Sequence, residues 1–328
     1  MTIAIVILNW NGKALLEQFL PSIIRYTSSH ASIYVADNAS TDDSITFVKT
    51  QYPEVKLILN RSNGGYAKGY NDALKDLKED LLCLLNNDIE VTPNWLSPII
   101  ESFSNSNTAI VQPKILDYKK KTHFEYAGAA GGFIDNYAYP FCRGRIFNTI
   151  EEDNHQYDNS EIFWASGACL FIRNTVFKAL NGFDASFFAH MEEIDLCWRA
   201  QNLGYSVAYN NQSTVYHVGG ATLSNANSQK TYLNFRNSLA MLVKNAKGNI
   251  AFLVIMRLIL DGIAGIKYML SLQPKHSYAI IKAHFAFYRR LPGLIGQRKA
   301  LTQQSNYAKT PSIVWAYFIQ KKKQFNRL

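Results

Sequence analysis

The sequence predicts an α/β fold, a mainly parallel sheet covered by helices on both faces, followed by a helical C-terminal extension. Three observations lead there. Over the first hundred residues, short apolar and β-branched runs alternate with amphipathic stretches. Polar residues gather where those runs end. The balance of charge also reverses near residue 228: residues 1–228 hold 17 Lys+Arg against 24 Asp+Glu, a net −7, whereas residues 229–328 hold 17 against 1, a net +16. We therefore expect an acidic body over 1–228 and a basic amphipathic extension over 229–328. With 328 residues and 48% hydrophobic content, the chain can bury a substantial core, which excludes a disordered protein.

The elements follow in order. A first strand is expected over 3–8, running into Asn9-Trp10-Asn11-Gly12; with no basic segment ahead of it, it reads as a strand rather than a signal peptide. A helix over 14–26 leads to a second strand, 32–36, which ends on Asp37-Asn38, and residues 40–43 open a helix over 42–51. The third strand, 55–59, ends on Asn60-Arg61, and Gly64-Gly65 precede a helix over 66–77. The fourth, 81–85, is continuously apolar and ends on Asn86-Asn87-Asp88. Alternation of this kind implies a mainly parallel sheet, and ligands on such sheets bind beyond the carboxyl ends of the strands. Four polar strand ends thus converge on one crevice.

Residues 114–163 are irregular and read as an insertion, a lid or acceptor wall over that crevice. Strand composition returns over 161–173, 205–209 and 213–217. The four cysteines lie apart, without Cys-x-x-Cys spacing, and are expected to be reduced core residues of a cytoplasmic protein.

Several side chains carry candidate chemistry. Asp37 can accept a hydrogen bond from the N3–H of a pyrimidine base, or can shape a turn. The Asn63-Gly64-Gly65 run lets backbone N–H groups approach a ribose or phosphate, or is a plain strand-to-helix turn. Asp88 can hold Mg²⁺ or Mn²⁺ with a diphosphate completing the shell, or is a solvated loop aspartate. Glu192, Glu193 and Asp195 open a later helix. Glu193 shares a helical stripe with Leu196, Ala200 and Leu203, which poises it as a partly desolvated base, whereas Asp195 and Arg199, four apart, are expected to pair. His217, at a strand end before Gly219-Gly220, is either a neutral imidazole ligand or a structural residue. Trp164 either stacks on an acceptor sugar or fills the core.

Taken together, the segments VILNWNG (6–12), VADNASTD (35–42), NRSNGGYAKGYNDAL (60–74), LLNNDIEV (84–91), WASGACLFIR (164–173), GFDASFFAHMEEIDLCWR (182–199) and YHVGG (216–220) resemble the inverting family 2 glycosyltransferases of the GT-A fold, especially their bacterial rhamnosyltransferase-like branch. The resemblance implies a nucleotide-sugar donor bound at Asn9, Asn11, Asp37, Asn38, Asn63, Gly64, Gly65 and Asn87. It implies a divalent cation, Mg²⁺ or Mn²⁺, at Asp88 and His217, a catalytic base at Glu193, and a glycan or lipid-linked acceptor near Trp164 and Glu192. Two positions depart from the family pattern: Asn86 stands where a D-x-D motif opens with an acid, and Glu193 stands where its Glu-Asp pair has aspartate. A non-catalytic scaffold that binds nucleotide sugar or glycan at a membrane is the alternative reading.

The extension decides the partner. Residues 250–272 are apolar and long enough to span a bilayer, but Arg257, Asp261 and Lys267 would each cost roughly 2.5–3.5 kcal/mol at its centre. Arg257 and Asp261, four apart, share a face and can pair. With aromatic residues and Lys/Arg interleaved further on, the extension is expected to lie on an anionic membrane surface, placing the protein peripherally on the inner face of the plasma membrane; a soluble helical domain packed on the body is the plainer reading. Nucleic acid is not expected as a partner, because the basic residues are interrupted by long apolar runs and the body is acidic.

Overall fold

The computed structural model describes residues 1–27, 31–219, 227–304 and 306–328. The body is built from β1 (Ile3–Asn9), α1 (Lys13–Tyr26), β2 (Ala31–Asp37), α2 (Ser44–Gln51), β3 (Lys56–Leu59), α3 (Gly65–Leu74), β4 (Leu81–Asn86), β5 (Ile89–Val91), α4 (Ser97–Ser102) and β6 (Thr108–Asp117). Then come β7 (Gly132–Ile134), β8 (Pro140–Cys142), β9 (Arg145–Ile146), β10 (Thr149–Ile150), β11 (Ser160–Ile162), β12 (Cys169–Arg173), α5 (Asn174–Ala179), α6 (Glu192–Asn202) and β13 (Ser206–His217). Three long helices follow: α7 (Ser228–Asn245), α8 (Ile250–Leu270) and α9 (Pro274–Lys299).

The main sheet runs β11-β13-β6-β12-β4-β1-β2-β3, with β5 paired to β13. The four expected strands form its parallel half, and Asn9 faces Asp37 in register while Leu8 faces Asn86. Both faces are covered, as the alternation of β1 requires: Ile3, Ile5 and Ile7 pack with Leu16, Leu20 and Ile23 of α1, whereas Ala4 and Val6 belong to the core that holds α3 and α6. The four cysteines are free and buried.

The second half of the body departs from the sequence reading. The expected insertion contains the end of β6, a central strand whose Lys114 is buried against Asp153 (2.7 Å), so a lysine that looks like a loop residue is neutralised in place. Only residues 132–150 form a separate unit, a small antiparallel sheet. The run 161–173 is split between the edge strand β11 and the central strand β12. The two closing strands are one, with a bulge between Asn210 and Thr214.

Ser228 opens α7, and the core continues through that helix: Leu239, Met241, Leu242 and Val243 join the cluster that contains Leu196 and Trp198. Among the described residues, no helix is long and apolar enough to cross a membrane. Arg257 and Asp261 do pair, with Nε 2.8 Å from Oδ1, and the pair is buried against the body. Arg257 also donates to the Tyr137 carbonyl and Ser238 Oγ, and Asp261 accepts from Tyr139 Oη and meets His284 Nε2 at 3.2 Å.

A buried pair of this kind is costly to break from one side only. Arg257→Ala is expected to lose about 3–5 kcal/mol of stability in denaturant titration, whereas Arg257→Met combined with Asp261→Leu is expected to melt near the wild-type temperature.

Candidate functional site

The carboxyl edge of the parallel strands carries two connected polar groups. Asn9, at the end of β1, is fully buried; its Nδ2 lies 3.3 Å from Asp37 Oδ2, and its Oδ1 accepts from Asn87 Nδ2 at 2.9 Å. Asp37 Oδ1 accepts from the Ser40 backbone N–H at 2.8 Å, so the turn reading of Asp37 is realised, and the side chain is buried at the strand edge. Gly12 permits this packing, since a Cβ there would fall 2.3 Å from Asn87 Nδ2. Asn11 has a positive φ of 50°, and its Oδ1 accepts from the backbone N–H groups of Thr41 and Asp42 (2.7 and 3.3 Å), tying the first two loops together.

The second group centres on Asn38, whose Nδ2 donates to Asn63 Oδ1 (2.9 Å) and the Gly65 carbonyl (3.1 Å). Gly65 has a φ of 75°, and a Cβ there would meet the Phe188 carbonyl at 2.5 Å, while one on Gly64 would meet only the Lys68 side chain. The sequence left the glycine pair open between a ribose or phosphate contact and a plain strand-to-helix turn. At Gly65, the close neighbour is the loop that leads into α6, and Ala67 N–H donates to the Phe188 carbonyl (3.2 Å).

Asp88 and His217 come together from β4 and β13. His217 Nε2 lies 3.1 Å from Asp88 Oδ1 and 3.4 Å from Asn86 Nδ2, and its Nδ1 lies 3.3 Å from Glu125 Oε1, an ion-pair contact without hydrogen-bond alignment. Burial opposes a charge on this ring, but Glu125 and Asp88 outweigh it and push the pKa up to about 10. Glu125 was missed in the sequence. The available signal was that it is the only charged residue between 122 and 134. Gly220 lies outside the described residues.

Among the described residues, no three His, Cys, Asp or Glu side chains form a ready metal cage. A divalent ion shared with a diphosphate needs fewer protein donors than that. The neutral imidazole expected at His217 is not what the structure holds: the ring is a cation paired with Asp88 at 3.1 Å, with Glu125 at its other nitrogen. A divalent ion fits between Asp88 and Nε2 only by displacing the proton that now joins them.

The acidic helix is set by an unusual approach. Phe188, His190 and Met191 all have positive φ (68°, 68° and 73°). Asn237 of α7 holds this loop, its Nδ2 lying 3.0, 3.0 and 2.8 Å from the carbonyls of Phe187, Ala189 and His190. Behind it, Asp195 is fully buried; it accepts from Arg199 Nε (2.8 Å) as expected, and also from Asn245 Nδ2 (2.8 Å), with Lys244 Nζ 3.0 Å away. Burial works to raise the Asp195 pKa, but Lys244 and Arg199 bring it below the ordinary range.

Glu192 and Glu193 are treated differently. Each has a buried Oε2 with no hydrogen-bond partner, although both open a helix whose dipole favours anions. Burial, then the neighbouring Glu193, holds the Glu192 carboxyl well above the carboxylate range, and burial lifts Glu193 to about 7. Both act on Tyr66, whose Oη donates to the Gly167 carbonyl at 2.6 Å, and whose pKa is raised mainly by burial. Burial likewise raises the Cys142 thiol to about 11, and Glu125 and Glu193 both add to that rise, which puts the two carboxylates within electrostatic reach of one residue.

Two expectations fail here. Leu196 and Ala200 of the proposed stripe are buried, but Leu203 is 52% exposed, because α6 ends at Asn202. Trp164 is 3% exposed, lies over Gly132 and donates its Nε1–H to the Phe133 carbonyl (3.0 Å), so its ring is core and has no face for a sugar.

A family model described as glycosyl transferase family 2 matches residues 4–180. The chain is 25% identical over 218 residues to the N-acetylglucosaminyl-diphospho-decaprenol L-rhamnosyltransferase of Mycobacterium tuberculosis, covering 62% of this chain and 71% of that one. It is 22% identical to the low-salt glycan biosynthesis hexosyltransferase Agl10 of Haloferax volcanii, over 72% of this chain and 73% of that one. Among solved structures it resembles the mannosyltransferase PcManGT from Pyrobaculum calidifontis in complex with GDP-Man and Mn²⁺, with a TM-score of 0.55 and 12% identity over 87% of this chain and 86% of that one. GalNAc-T7 with UDP, GalNAc and Mn²⁺ gives a TM-score of 0.60 at 15% identity over 89% of this chain and 57% of that one. At these identities the structural likeness speaks for the fold, which is GT-A.

Glu193 is expected to leave a signature in stability. Its pKa is raised from 4.5 to about 7 on folding. The folded state therefore favours the proton, and this group's contribution is full below pH 4.5 and lost as pH rises through about 7. The melting temperature of Glu193→Gln relative to wild type is expected to be unchanged near pH 4 and to rise toward pH 8, by the equivalent of about 2–3 kcal/mol.

Proposed function

Because the chain belongs to glycosyl transferase family 2, a family of inverting enzymes that use nucleotide-sugar donors, we propose that it transfers a sugar from a UDP- or dTDP-linked donor, dTDP-rhamnose among them, to a glycan or lipid-linked acceptor in cell-surface polysaccharide synthesis at an anionic membrane surface. One observation carries this reading: two carboxyl groups, each with a buried oxygen that has no hydrogen-bond partner and one with a pKa near neutrality, open a helix in the layer that covers the sheet at whose strand edge Asp88 and His217 meet.

Asp37, Asn9, Asn38, Asn63 and Asn87 form the donor floor, with Asp37 turned to the base. Asp88 and His217, its Nε2 proton given up on binding, would hold a divalent ion, Mg²⁺ or Mn²⁺, with Glu125 fixing the ring. When bound, the ion supplies positive charge where negative charge gathers on the leaving diphosphate. Glu193 accepts the proton of the acceptor hydroxyl as that oxygen attacks the anomeric carbon. The bond from that carbon to the diphosphate oxygen breaks, the electron pair leaves with the nucleoside diphosphate, and the configuration inverts. Glu192, whose carboxyl burial and Glu193 push toward the protonated form, stands beside it on the acceptor side. The rhamnosyltransferase among the relatives supports the donor sugar, and its named diphospho-decaprenol acceptor supports a lipid-linked one.

Glu193→Gln is expected to lower turnover by about 10² to 10⁴-fold with donor affinity retained. In wild type, kcat/KM is expected to fall about tenfold per pH unit below about pH 7, as the base takes up its proton. Equal turnover in the variant removes Glu193 from this role.

The donor site is tested by thermal shift with UDP, dTDP and GDP, each with Mg²⁺, Mn²⁺ or EDTA. A metal-dependent rise for a pyrimidine nucleotide that disappears in Asp88→Ala is the expected result; no rise with any nucleotide overturns the reading.

A further inference from the structure

The outward face of the α8–α9 hairpin is apolar and bordered by basic residues. On α8, Phe252, Ile255, Ile259, Ile263, Ile266 and Leu270 are each more than half exposed, and they recur at intervals of three or four residues, which gathers them into one stripe. Arg257 and Asp261 project from the opposite side, into their buried pair, so no charge interrupts the stripe. On α9, Tyr278, Ile281, Phe285 and Tyr288 repeat the pattern. Lys275, Lys282 and Arg289, all exposed and spaced by seven, form a row along the edge of that stripe. Between the helices, Leu272 is 89% exposed. Exposed apolar stripes of this length on two helices that pack together mark a place of contact rather than ordinary solvent-facing side chains.

We propose that this hairpin face lies in the headgroup region of an anionic lipid bilayer, with Leu270 and Leu272 at its inserted tip and Lys275, Lys282 and Arg289 against the phosphates. Charge selects this occupant. Residues 229–328 carry 17 basic side chains and one acid, Asp261, which is buried beneath the stripe. A second copy of the chain brings an equally basic rim to the same face, and like charges then oppose one another. A flat arrangement also fits, since among the described residues no helix is long and apolar enough to cross.

The tip lies on the side of the crevice that holds Glu125. His276, at the start of α9, has its Nδ1 2.7 Å from Thr231 Oγ1 and stacks on Tyr268 at 4.9 Å. The neighbouring Lys230 reaches the ring of Tyr126, next to Glu125 in the chain, at 5.9 Å. A bilayer on this face therefore borders the mouth at which a lipid-linked acceptor arrives. That consequence rests on the proposed function; the docking itself does not.

The test is co-flotation of the full chain with vesicles of phosphatidylcholine alone or with a third phosphatidylglycerol, run without donor or metal. Flotation is expected only with the anionic vesicles and is expected to weaken with salt. Ile263→Asp with Leu270→Asp should abolish it, and changing Lys275, Lys282 and Arg289 to Gln should lower partitioning by about fivefold per charge removed. A cooperative melt in each variant establishes that it is folded. Absence of flotation, equal flotation with neutral vesicles, undiminished flotation of the folded variants, or a wild-type dimer in solution that the aspartate variant abolishes would each overturn the proposal. Failure of the catalytic reading shows separately, as loss of the nucleotide-dependent thermal shift.

Discussion

The buried carboxylate of Asp195 is the constraint around which the catalytic side of the molecule is arranged. It is anionic in the core because Arg199, Lys244 and Asn245 surround it. Two of these three partners belong to α7, so the charge that stabilises α6 also attaches it to the C-terminal helices. Asn237, two turns earlier on α7, grips the loop before α6 through three carbonyls. Backbone in the left-handed region costs of order 1–3 kcal/mol per residue and persists only where its surroundings hold it. Here three such residues precede Glu192, and α7 supplies the hold.

Three carboxylates in one helical turn thus have three different chemistries. Asp195 has cations and amide donors and stays charged. Glu192 and Glu193 have backbone N–H groups but no cation, and burial outweighs both these and the helix dipole, which offers only about 0.3–1 kcal/mol in exposed settings. A carboxyl raised by two pKa units or more has already overcome more than that. The same contrast recurs at the strand edge, where the His217 ring sits between Glu125 and Asp88 and keeps its charge despite burial. What distinguishes these groups is the partner supplied by the fold, not the residue type.

That contrast also explains what could be read from the sequence. The parallel half of the sheet was legible because each strand is a mainly apolar run followed at its end by Asn or Asp, a pattern local enough for spacing to reveal. Asp88 with His217 and Asp195 with Arg199 were legible for related reasons, a strand end and a four-residue helical interval. Glu125 was not, because it reaches His217 across 92 positions of chain from a segment without regular period. Gly65 stayed open between a ligand contact and a plain turn, because a glycine before a helix serves both; the Phe188 carbonyl beside it gives a packing reason for the glycine that no local spacing could show. Lys114 hid the central strand β6, since its partner Asp153 lies beyond the small sheet.

The extension shows how direction, rather than composition, settles the use of a helix. Averaged over 250–272, α8 carries charges that count against any contact with lipid. Residues advance by about 100° per position around a helix, however, so Arg257 and Asp261 fall opposite Ile259 and Ile263. The polar side of α8 is consumed by Tyr139, His284, Ser238 and the Tyr137 carbonyl. A charge pair that makes a spanning helix expensive is therefore what anchors this helix to the body and turns its apolar side outward. Since α7 joins the same core on one side and positions the acidic helix on the other, the C-terminal helices serve two purposes with one set of contacts: they brace the site and present a surface beside it.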